Sequence, residues 1–241
     1  MLKSVAMALP TYTMSTFRLS KKLCKEMSRM MANFWWSSPE KEKAMHWMAW
    51  NKMTDAKRRV EWDLEIYITS NTALLAKQLS RLITSPNLLV SKVLKAKYWY
   101  KDDIFKTKVP NSASWIWQSI MSVREFLGRG IRKRVGNGET INIWEDRWIP
   151  NNEDGRLKTK MPDNCQGKVG NQLIRNFRWN KELIFQTFCR EDAENILCIP
   201  ISLAGRNDKL FWKYSANGHY TIQSGYWRAK EEQKLSQQRP P

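Results

Sequence analysis

The chain has 241 residues, of which 42% are hydrophobic and 12% aromatic, so it can bury hydrophobic cores and does not have the composition of a disordered protein. No stretch approaches the roughly 18 uninterrupted apolar residues of a membrane span, which excludes a helix of that kind. Forty-one Lys and Arg against 23 Asp and Glu give a net charge of +18, which opposes compaction and favours a polyanionic partner, nucleic acid first.

An anionic membrane surface and a merely basic surface are the alternatives that the charge leaves open. The stretch before Glu26 contains no acid and is rich in Ser, Thr, Lys and Arg, a composition that also suits an organellar presequence. We expect a nuclear or cytoplasmic protein, with that presequence as the alternative. The four cysteines, Cys24, Cys165, Cys189 and Cys198, form no close pair and are expected to be free thiols.

A first amphipathic helix is predicted from an N-cap at Ser20 to near Trp35-Trp36. Its apolar stripe comprises Leu23, Met27, Met30, Met31 and Phe34. The other face carries Lys21, Lys22, Lys25 and Arg29. Such a face is either solvated or lies along a phosphate backbone, and the pattern by itself favours a solvated face.

Further helices follow from apolar periodicity and capping residues. One starts at Asn71 and stops before Pro86, and the next is capped by Asn87. Another starts at Ser112 or Ser114 and ends at Gly128. The remaining helices are a short one from Trp179-Asn180 and a last one capped by Ser224, followed by a frayed tail over 231–241.

Two short β-hairpins complete a fold class of α+β, mainly α-helical. The first pairs residues 131–135 with 139–143 around a Gly136-Asn137-Gly138 loop, which gives one apolar face and one basic face with Arg132 and Arg134. The second runs from Leu210 through the turn at 216–218 to Ile222. Residues 151–176 are polar and are predicted to form a loop or linker.

The residues that catalysis requires do not form a site in this pattern. His46 and His219 lack a motif partner, and the cysteines do not have the spacing of a zinc site. The adjacent acids Asp102-Asp103 and Glu145-Asp146 would diverge on either a strand or a helix, so we interpret them as turn residues. We therefore expect no catalytic residue, no metal and no cofactor.

Basic residues interleaved with aromatics form the densest candidate site. Its cations are Arg129, Arg132, Lys133, Arg134 and Arg147. Trp144 and Trp148 lie close by in sequence and could stack on bases while the cations follow the backbone. The alternative is that the tryptophans belong to the core and the arginines to a wet surface.

Several blocks of the sequence resemble plant LINE-type non-LTR reverse transcriptases, including those called ribonuclease H-like proteins. The resemblance rests on these residues: Leu2-Lys3-Ser4-Val5, Ala8-Leu9-Pro10-Thr11-Tyr12, Phe34-Trp35-Trp36, His46-Trp47, Ala73-Leu74-Leu75-Ala76-Lys77-Gln78, Val93-Leu94-Lys95-Ala96-Lys97-Tyr98, Trp115, Trp117, Arg134-Val135-Gly136-Asn137-Gly138, Ile141-Asn142-Ile143-Trp144, Asp208-Lys209-Leu210, Trp212, Asn217-Gly218 and Tyr220.

The resemblance implies a region downstream of the polymerase core. Residues 1–60 would be a thumb-like helical segment, 61–150 a connection region ending in the basic hairpin, 151–206 a linker with a short helix, and 207–241 the start of the zinc-binding reverse transcriptase domain. The polymerase aspartates, the zinc ligands and the ribonuclease H carboxylates of the family would lie outside this chain. The resemblance implies RNA or DNA as partner, held as template–primer beside a missing palm domain.

One departure from the family pattern supports an alternative. After Lys57-Arg58-Arg59-Val60-Glu61 the family usually has Gly-Gly-Leu-Gly, whereas this chain continues with Trp62-Asp63-Leu64-Glu65. Such a loss is typical of a decayed element. The alternative is therefore an inert, partly folded product without activity.

Overall fold

The computed structural model describes residues 10–36, 64–100, 103–162, 167, 169–175, 178–202 and 204–237. These residues form mostly α-helices, with two small two-stranded antiparallel sheets, so the predicted fold class is confirmed. No helix in the described ranges is long and apolar enough to cross a membrane.

The chain divides into two compact units. We call Met1–Gly128 with Tyr220–Pro241 the helical unit, and Arg129–His219 the mixed unit. The helices of the helical unit are α1 (Thr11–Thr16), α2 (Lys21–Trp36), α3 (Leu64–Thr84), α4 (Leu89–Tyr98), α5 (Trp115–Met121), α6 (Arg124–Gly130, whose last two residues begin the mixed unit) and α10 (Ile222–Gln237). The domain boundaries expected from the family resemblance stay predictions.

Helix α3 is the centre of the helical unit, where it packs against α1, α2, α5 and α10. Its Leu75 and Leu79 are fully buried, as expected for a helix contacted on several sides. Asn71 is also buried. Its Nδ2 donates to the carbonyls of Met14 at 2.7 Å and Phe17 at 2.8 Å, and its Oδ1 accepts from the Leu19 N–H at 3.0 Å.

The predicted start of α3 at Asn71 is therefore wrong. The helix begins at Leu64, and Asn71 binds the segment that joins α1 to α2 instead of capping its own helix. Asn is common at N-caps because its side chain competes for backbone groups, and here the backbone groups it satisfies lie more than 50 residues away in sequence.

The mixed unit is built from short elements around one apolar core. These are β1 (Ile131–Arg134), α7 (Val169–Gln172), β2 (Ile174–Arg175), β3 (Arg178–Trp179), α8 (Lys181–Thr187), α9 (Arg190–Leu197) and β4 (Lys209–Trp212). The core includes Ile141, Ile143, Ile149, Ile184 and Ile196, all at most 1% exposed. The sequence predicted a helix starting at Trp179-Asn180, which is α8, and the structure shows Asn180 as its N-cap. It did not predict α9, β2 or β3.

The first predicted hairpin is wrong. β1 pairs with β4, with Ile131 opposite Trp212 and Arg134 opposite Lys209, while β2 and β3 form the other sheet. Residues 139–143 pair elsewhere, because the Ile143 N–H donates to the Gly167 carbonyl and the Val169 N–H to the Ile141 carbonyl. Local alternation identified the strand but not its partner, which lies far along the chain.

The second predicted hairpin is only partly formed. The chain turns as expected, since the Trp212 N–H donates to the Gly218 carbonyl at 2.7 Å. The returning residues do not form a strand: Tyr220 is buried in the helical unit, and α10 starts at Ile222.

Three helix ends also differ from expectation. Ser114 caps α5, but the helix predicted to run to Gly128 is broken into α5 and α6. Thr221 and Ser224 exchange backbone and hydroxyl hydrogen bonds at the start of α10, so Ser224 is the partner of the cap and not the cap. Helix α10 continues to Gln237, where a frayed tail was expected, with Arg228 paired to Glu231 and Glu232.

Candidate nucleic-acid interface

The four cations predicted on the first helix do share one surface. Lys21, Lys22, Lys25 and Arg29 are all exposed on α2, and we call them the α2 basic face. Exposed cations on a helix separated by three or four residues can follow a phosphate backbone, since neighbouring turns lie about 5.4 Å apart along the axis.

The predicted apolar stripe of α2 is only partly right, because the buried stripe is shifted by about one position. Cys24 and Ala32 are buried, with Met27 and Met31 partly covered, whereas Leu23, Met30 and Phe34 are exposed. Small side chains allow close approach to α3, where Tyr67 and Leu74 complete the cluster. The helix therefore presents an exposed apolar strip as well as its basic face.

Arg132 is buried in the mixed unit, at 5% exposure. Its guanidinium donates to the carbonyls of Arg129 at 2.8 Å, Ile131 at 3.0 Å and Glu153 at 2.5 Å. Gly155 lies against it with a φ of +68°, where a Cβ would come within 2.3 Å of Arg132 Nε. Arg132 thus joins β1 to the 153–155 loop, and its buried guanidinium is not accessible to a ligand in solution.

Other arginines gather around this buried one. Burial lowers the pKa of Arg147, and the positive charges of Arg156 and Arg129 lower it further, while Asp154 opposes them. Burial likewise lowers the pKa of Arg132, with Arg147 adding to the effect. We call Arg129, Arg132, Arg147 and Arg156 the arginine cluster.

The two remaining predicted cations have partners within the mixed unit. Lys133 Nζ forms an ion pair with Asp146 Oδ2 at 2.7 Å and donates to the Thr140 carbonyl at 3.1 Å. Arg134 is exposed and lies over the ring of Phe211, 5.4 Å from its centroid. Lys133 is therefore mainly structural, whereas Arg134 remains accessible.

Asp146 departs from its interpretation as a solvated turn acid. Its side chain is only 18% exposed, and Oδ2 also accepts from the Asn142 N–H at 2.7 Å. The tryptophans near the cations belong to the core: Trp148 is 3% exposed and its Nε1 donates to the Ile143 carbonyl.

The structure thus brings Arg129 and Arg147 together and adds Arg156, which the sequence did not single out. Arg156 lies in the polar stretch predicted to be a loop or linker, and nothing in its local pattern marks it. The α2 basic face belongs to the helical unit and the arginine cluster to the mixed unit, so they are two separate candidate surfaces.

The carboxylate of Asp208 holds the Gly136–Thr140 loop, a role that the sequence did not predict although Asp208 belongs to a block of the family resemblance. Asp208 Oδ1 accepts from the N–H groups of Gly136 at 2.7 Å and Gly138 at 2.8 Å. Its Oδ2 accepts from Thr140 N at 2.9 Å and Oγ1 at 2.8 Å. Burial would raise the pKa of Asp208, but these hydrogen bonds outweigh burial and lower it.

Asp192 plays a similar part for another loop of the mixed unit. Its Oδ2 accepts from the N–H groups of Lys158 at 2.9 Å and Thr159 at 2.7 Å, and from Thr159 Oγ1 at 2.6 Å. Burial again opposes these hydrogen bonds, and the net effect is a lowered pKa. Two aspartates therefore fix two loops of the mixed unit, at residues 136–140 and 158–159.

Within the described ranges, no three His, Cys, Asp or Glu side chains converge as a metal site would require. His219 is exposed, and its N–H donates to Asn217 Oδ1 at 3.0 Å. Cys24, Cys189 and Cys198 are free thiols, as expected. The predictions made for His46, Asp102, Cys165 and residues 37–63 lie outside the described residues.

Comparison with known proteins gives two relatives from Arabidopsis thaliana. The chain is 40% identical to the "Uncharacterized mitochondrial protein AtMg00310" over 151 residues, 59% of this chain and 94% of that protein. It is 26% identical over 230 residues to the "Putative ribonuclease H protein At1g65750", covering 93% of this chain but only 37% of that protein's length.

No family model matches the chain, and no solved structure does either. The two relatives support a retroelement-derived protein, in agreement with the resemblance seen in the sequence. With 40% identity across nearly the whole of the first relative, the chain belongs to the family of the uncharacterized mitochondrial protein AtMg00310.

Proposed function

We propose that this chain binds nucleic acid through basic surfaces and carries no catalytic activity of its own. Its ancestral task would be that of the thumb and post-thumb region of a LINE-type reverse transcriptase, which holds the template–primer. The contacts are mainly to phosphates, because no pattern in the chain suggests recognition of particular bases.

The observation that carries this proposal is the arginine cluster. Burial lowers the pKa of Arg147 and Arg132, and neighbouring guanidinium charges lower both pKa values further. Such repulsion between like charges destabilises the folded chain, and a phosphate placed among them removes it. Arg132 is buried and donates to the Glu153 carbonyl, so it is not accessible. The contact surface therefore consists of the exposed Arg129 and Arg156 and the half-buried Arg147. A guanidinium also suits phosphate because its planar donors can bind two oxygens at once.

The α2 basic face is the second surface of the proposal. Its cations are exposed and lie on one long helix, which suits sequence-independent contact with a backbone. The resemblance to thumb segments favours this helix as the one that follows the template–primer. The name of the second relative refers to ribonuclease H, and we propose that any such chemistry resides in parts of the longer protein that this chain does not cover.

A salt-dependent titration tests the proposal. Labelled duplex, RNA–DNA hybrid and single strands are titrated with the full chain at about 50 and 200 mM salt, and the slope of log affinity against log salt is measured. We expect binding that weakens steeply as salt increases. Affinity that is absent at low salt, or that ignores salt, would leave the inert, partly folded product as the better explanation.

The arginine cluster is tested by the double variant Arg147→Gln with Arg156→Gln. We expect weaker binding and a salt slope smaller by about 0.9 for each duplex phosphate that the variant no longer neutralises. Arg190→Gln is the matched control, because Arg190 is exposed and paired with Glu194 on α9, away from the cluster's hydrogen bonds. Equal reductions of affinity in the control and the double variant would contradict a specific surface.

A primer-extension assay tests the absence of catalysis. We expect no magnesium-dependent incorporation of nucleotides by this chain alone. Incorporation that depends on the chain, and not on a contaminating polymerase, would overturn the proposal of a non-catalytic region.

A further inference from the structure

A cavity of about 220 Å³ lies beside helix α4 in the helical unit. Its lining includes Leu82 and Ile83 of α3, Ser91 and Lys95 of α4, and Trp99 and Asp103 just after α4. Small-molecule sites usually measure about 300–1,000 Å³, so this cavity has room for one planar ring system and not for a larger ligand.

The apolar part of the wall suits the faces of such a ring. Leu82 and Ile83 contribute aliphatic surface from the end of α3. Trp99 contributes an aromatic side chain that is held in place by stacking on Trp117, with centroids 5.0 Å apart and planes within 7°. Trp117 also stacks on Tyr98 at 4.7 Å, so the aromatic wall is fixed before any ligand arrives.

The polar part of the wall offers both donors and acceptors. Lys95 supplies an ammonium group, and Asp103 supplies a carboxylate whose Oδ1 accepts from the Phe105 N–H at 3.0 Å. Ser91 is 1% exposed, and its hydroxyl has no hydrogen-bond partner among the described residues. An apolar ligand would leave these groups unused, whereas the edge of a nucleobase carries donors and acceptors that match them.

Helix α4, which forms part of the cavity wall, is basic. Helix α4 carries Lys92, Lys95 and Lys97 and no acidic residue. We infer that the cavity takes one unstacked nucleobase, with its attached phosphate attracted to Lys95, the lysine of α4 that lines the cavity. The inference rests on the proposed function and adds to it, because it gives the helical unit a site for a base in addition to its contacts with phosphates.

Free nucleotides test the cavity directly. AMP, GMP, CMP and UMP are titrated separately into the full chain, and amide shifts are followed by NMR, with ribose 5-phosphate as the ligand that lacks a base. We expect saturable binding of at least one nucleotide and clearly weaker binding of ribose 5-phosphate. Binding of no nucleotide, or equal binding of ribose 5-phosphate, would overturn the inference.

Two variants of α4 locate the binding. Lys95→Met and Ser91→Ala each remove one polar group of the cavity and are expected to weaken nucleotide binding about fivefold, the effect of removing one hydrogen bond. Lys92→Met makes the same charge change on the same helix at an exposed residue outside the cavity lining. If Lys92→Met and Lys95→Met weaken binding equally, the cavity is not the site. Amide spectra of each variant confirm that the helical unit still folds.

The same titrations separate this inference from the proposed function. If strands bind and no nucleotide does, the base site is wrong and the phosphate-binding proposal stands. If nucleotides bind and no strand does, the proposed function is wrong, and the cavity serves a free nucleotide. If both bind, a strand with an abasic site at its binding position is expected to bind more weakly than the intact strand, and equal binding would overturn the base site.

Discussion

The α2 basic face and the arginine cluster each gather four cations, but the chain builds them differently. The cations of α2 fall between residues 21 and 29, and the helix alone brings them to one surface. The arginine cluster collects residues 129, 132, 147 and 156 from a helix end, a strand and two loops, and backbone carbonyls hold its buried member. The first surface therefore depends on local structure, and the second on tertiary structure.

Because the arginine cluster depends on tertiary structure, we expect the largest loss of stability from a residue that fixes a loop and carries no positive charge. Asp208→Ala removes the acceptor of four hydrogen bonds from the Gly136–Thr140 loop. We expect the free energy of unfolding of the mixed unit to fall by about 3 kcal/mol, because donors lose a charged acceptor. Urea denaturation followed by tryptophan fluorescence measures the change.

Glu139→Ala is the matched control for Asp208→Ala. Glu139 is an exposed acid in the same loop, so its removal should alter stability by less than about 0.5 kcal/mol. Similar effects of the two variants would show that the loop responds to net charge and not to the hydrogen bonds of Asp208.

The helical unit also contains a buried polar side chain, Asn71, whose removal should reduce stability nearly as much. Asn71→Ala removes three hydrogen bonds, one to Met14 in α1 and two to Phe17 and Leu19 between α1 and α2. We expect the stability of the helical unit to fall by about 2 kcal/mol, since two carbonyls and one N–H are left without their partner. Asn33→Ala, at an exposed position of α2, should cost far less in the same urea experiment.

The two units should also respond to opposite ends of the pH scale. The lowered pKa values of Asp208 and Asp192 mean that their stabilisation is present above the unfolded value of about 3.9 and is lost as the pH falls through the folded values. Thermal unfolding should therefore show the mixed unit weakening in acid. Asp208→Asn should flatten this dependence, and an unchanged acid profile would contradict it.

Alkaline conditions should instead affect the helical unit. Burial raises the pKa of Tyr220, whose hydroxyl donates to the Ala73 carbonyl at 3.1 Å. Its stabilisation is present below the unfolded pKa of about 10 and is lost as the pH rises toward the folded value. Tyr220→Phe should reduce the loss of helical-unit stability above about pH 10, as measured by thermal unfolding monitored by circular dichroism.

A smaller effect is expected when an anion occupies the arginine cluster. Inorganic phosphate at about ten times its dissociation constant should stabilise the mixed unit by about 1.4 kcal/mol. Arg156→Gln should reduce that gain, because it removes one of the converging cations. A melting temperature that rises equally in both proteins would assign the effect of phosphate to another part of the chain.

The smallest change in stability is expected on the α2 basic face. Lys22→Gln and Lys25→Gln should each alter the free energy of unfolding by less than about 0.5 kcal/mol, since both residues are exposed. Each should nevertheless lower the salt slope of strand binding if α2 follows the backbone. Unchanged slopes in both variants would remove α2 from the proposed surface.

The sequence predicted the features that depend on local structure better than those that depend on tertiary structure. The periodicity of α2 predicts the helix and its cations, and the error of one position in its buried stripe arose because Cys24 and Ala32 pack more closely than larger residues could. The pairing of β1 with β4, the part played by Asp208 and the position of Arg156 join residues too far apart for any local pattern. The net charge indicated that positively charged side chains are candidate contacts for nucleic acid, but it did not predict which of them would be buried.

The pairing of β1 with β4 also governs when the mixed unit can fold. Ile131–Arg134 must await a partner that begins at Lys209, and the Gly136–Thr140 loop must await Asp208. Closing contacts of such long sequence separation is slow, and until then an unpaired strand edge is open to other chains. A growing chain that stalls or is cut before residue 208 would thus expose an aggregation-prone segment, while helix α2, complete by residue 36, can form early.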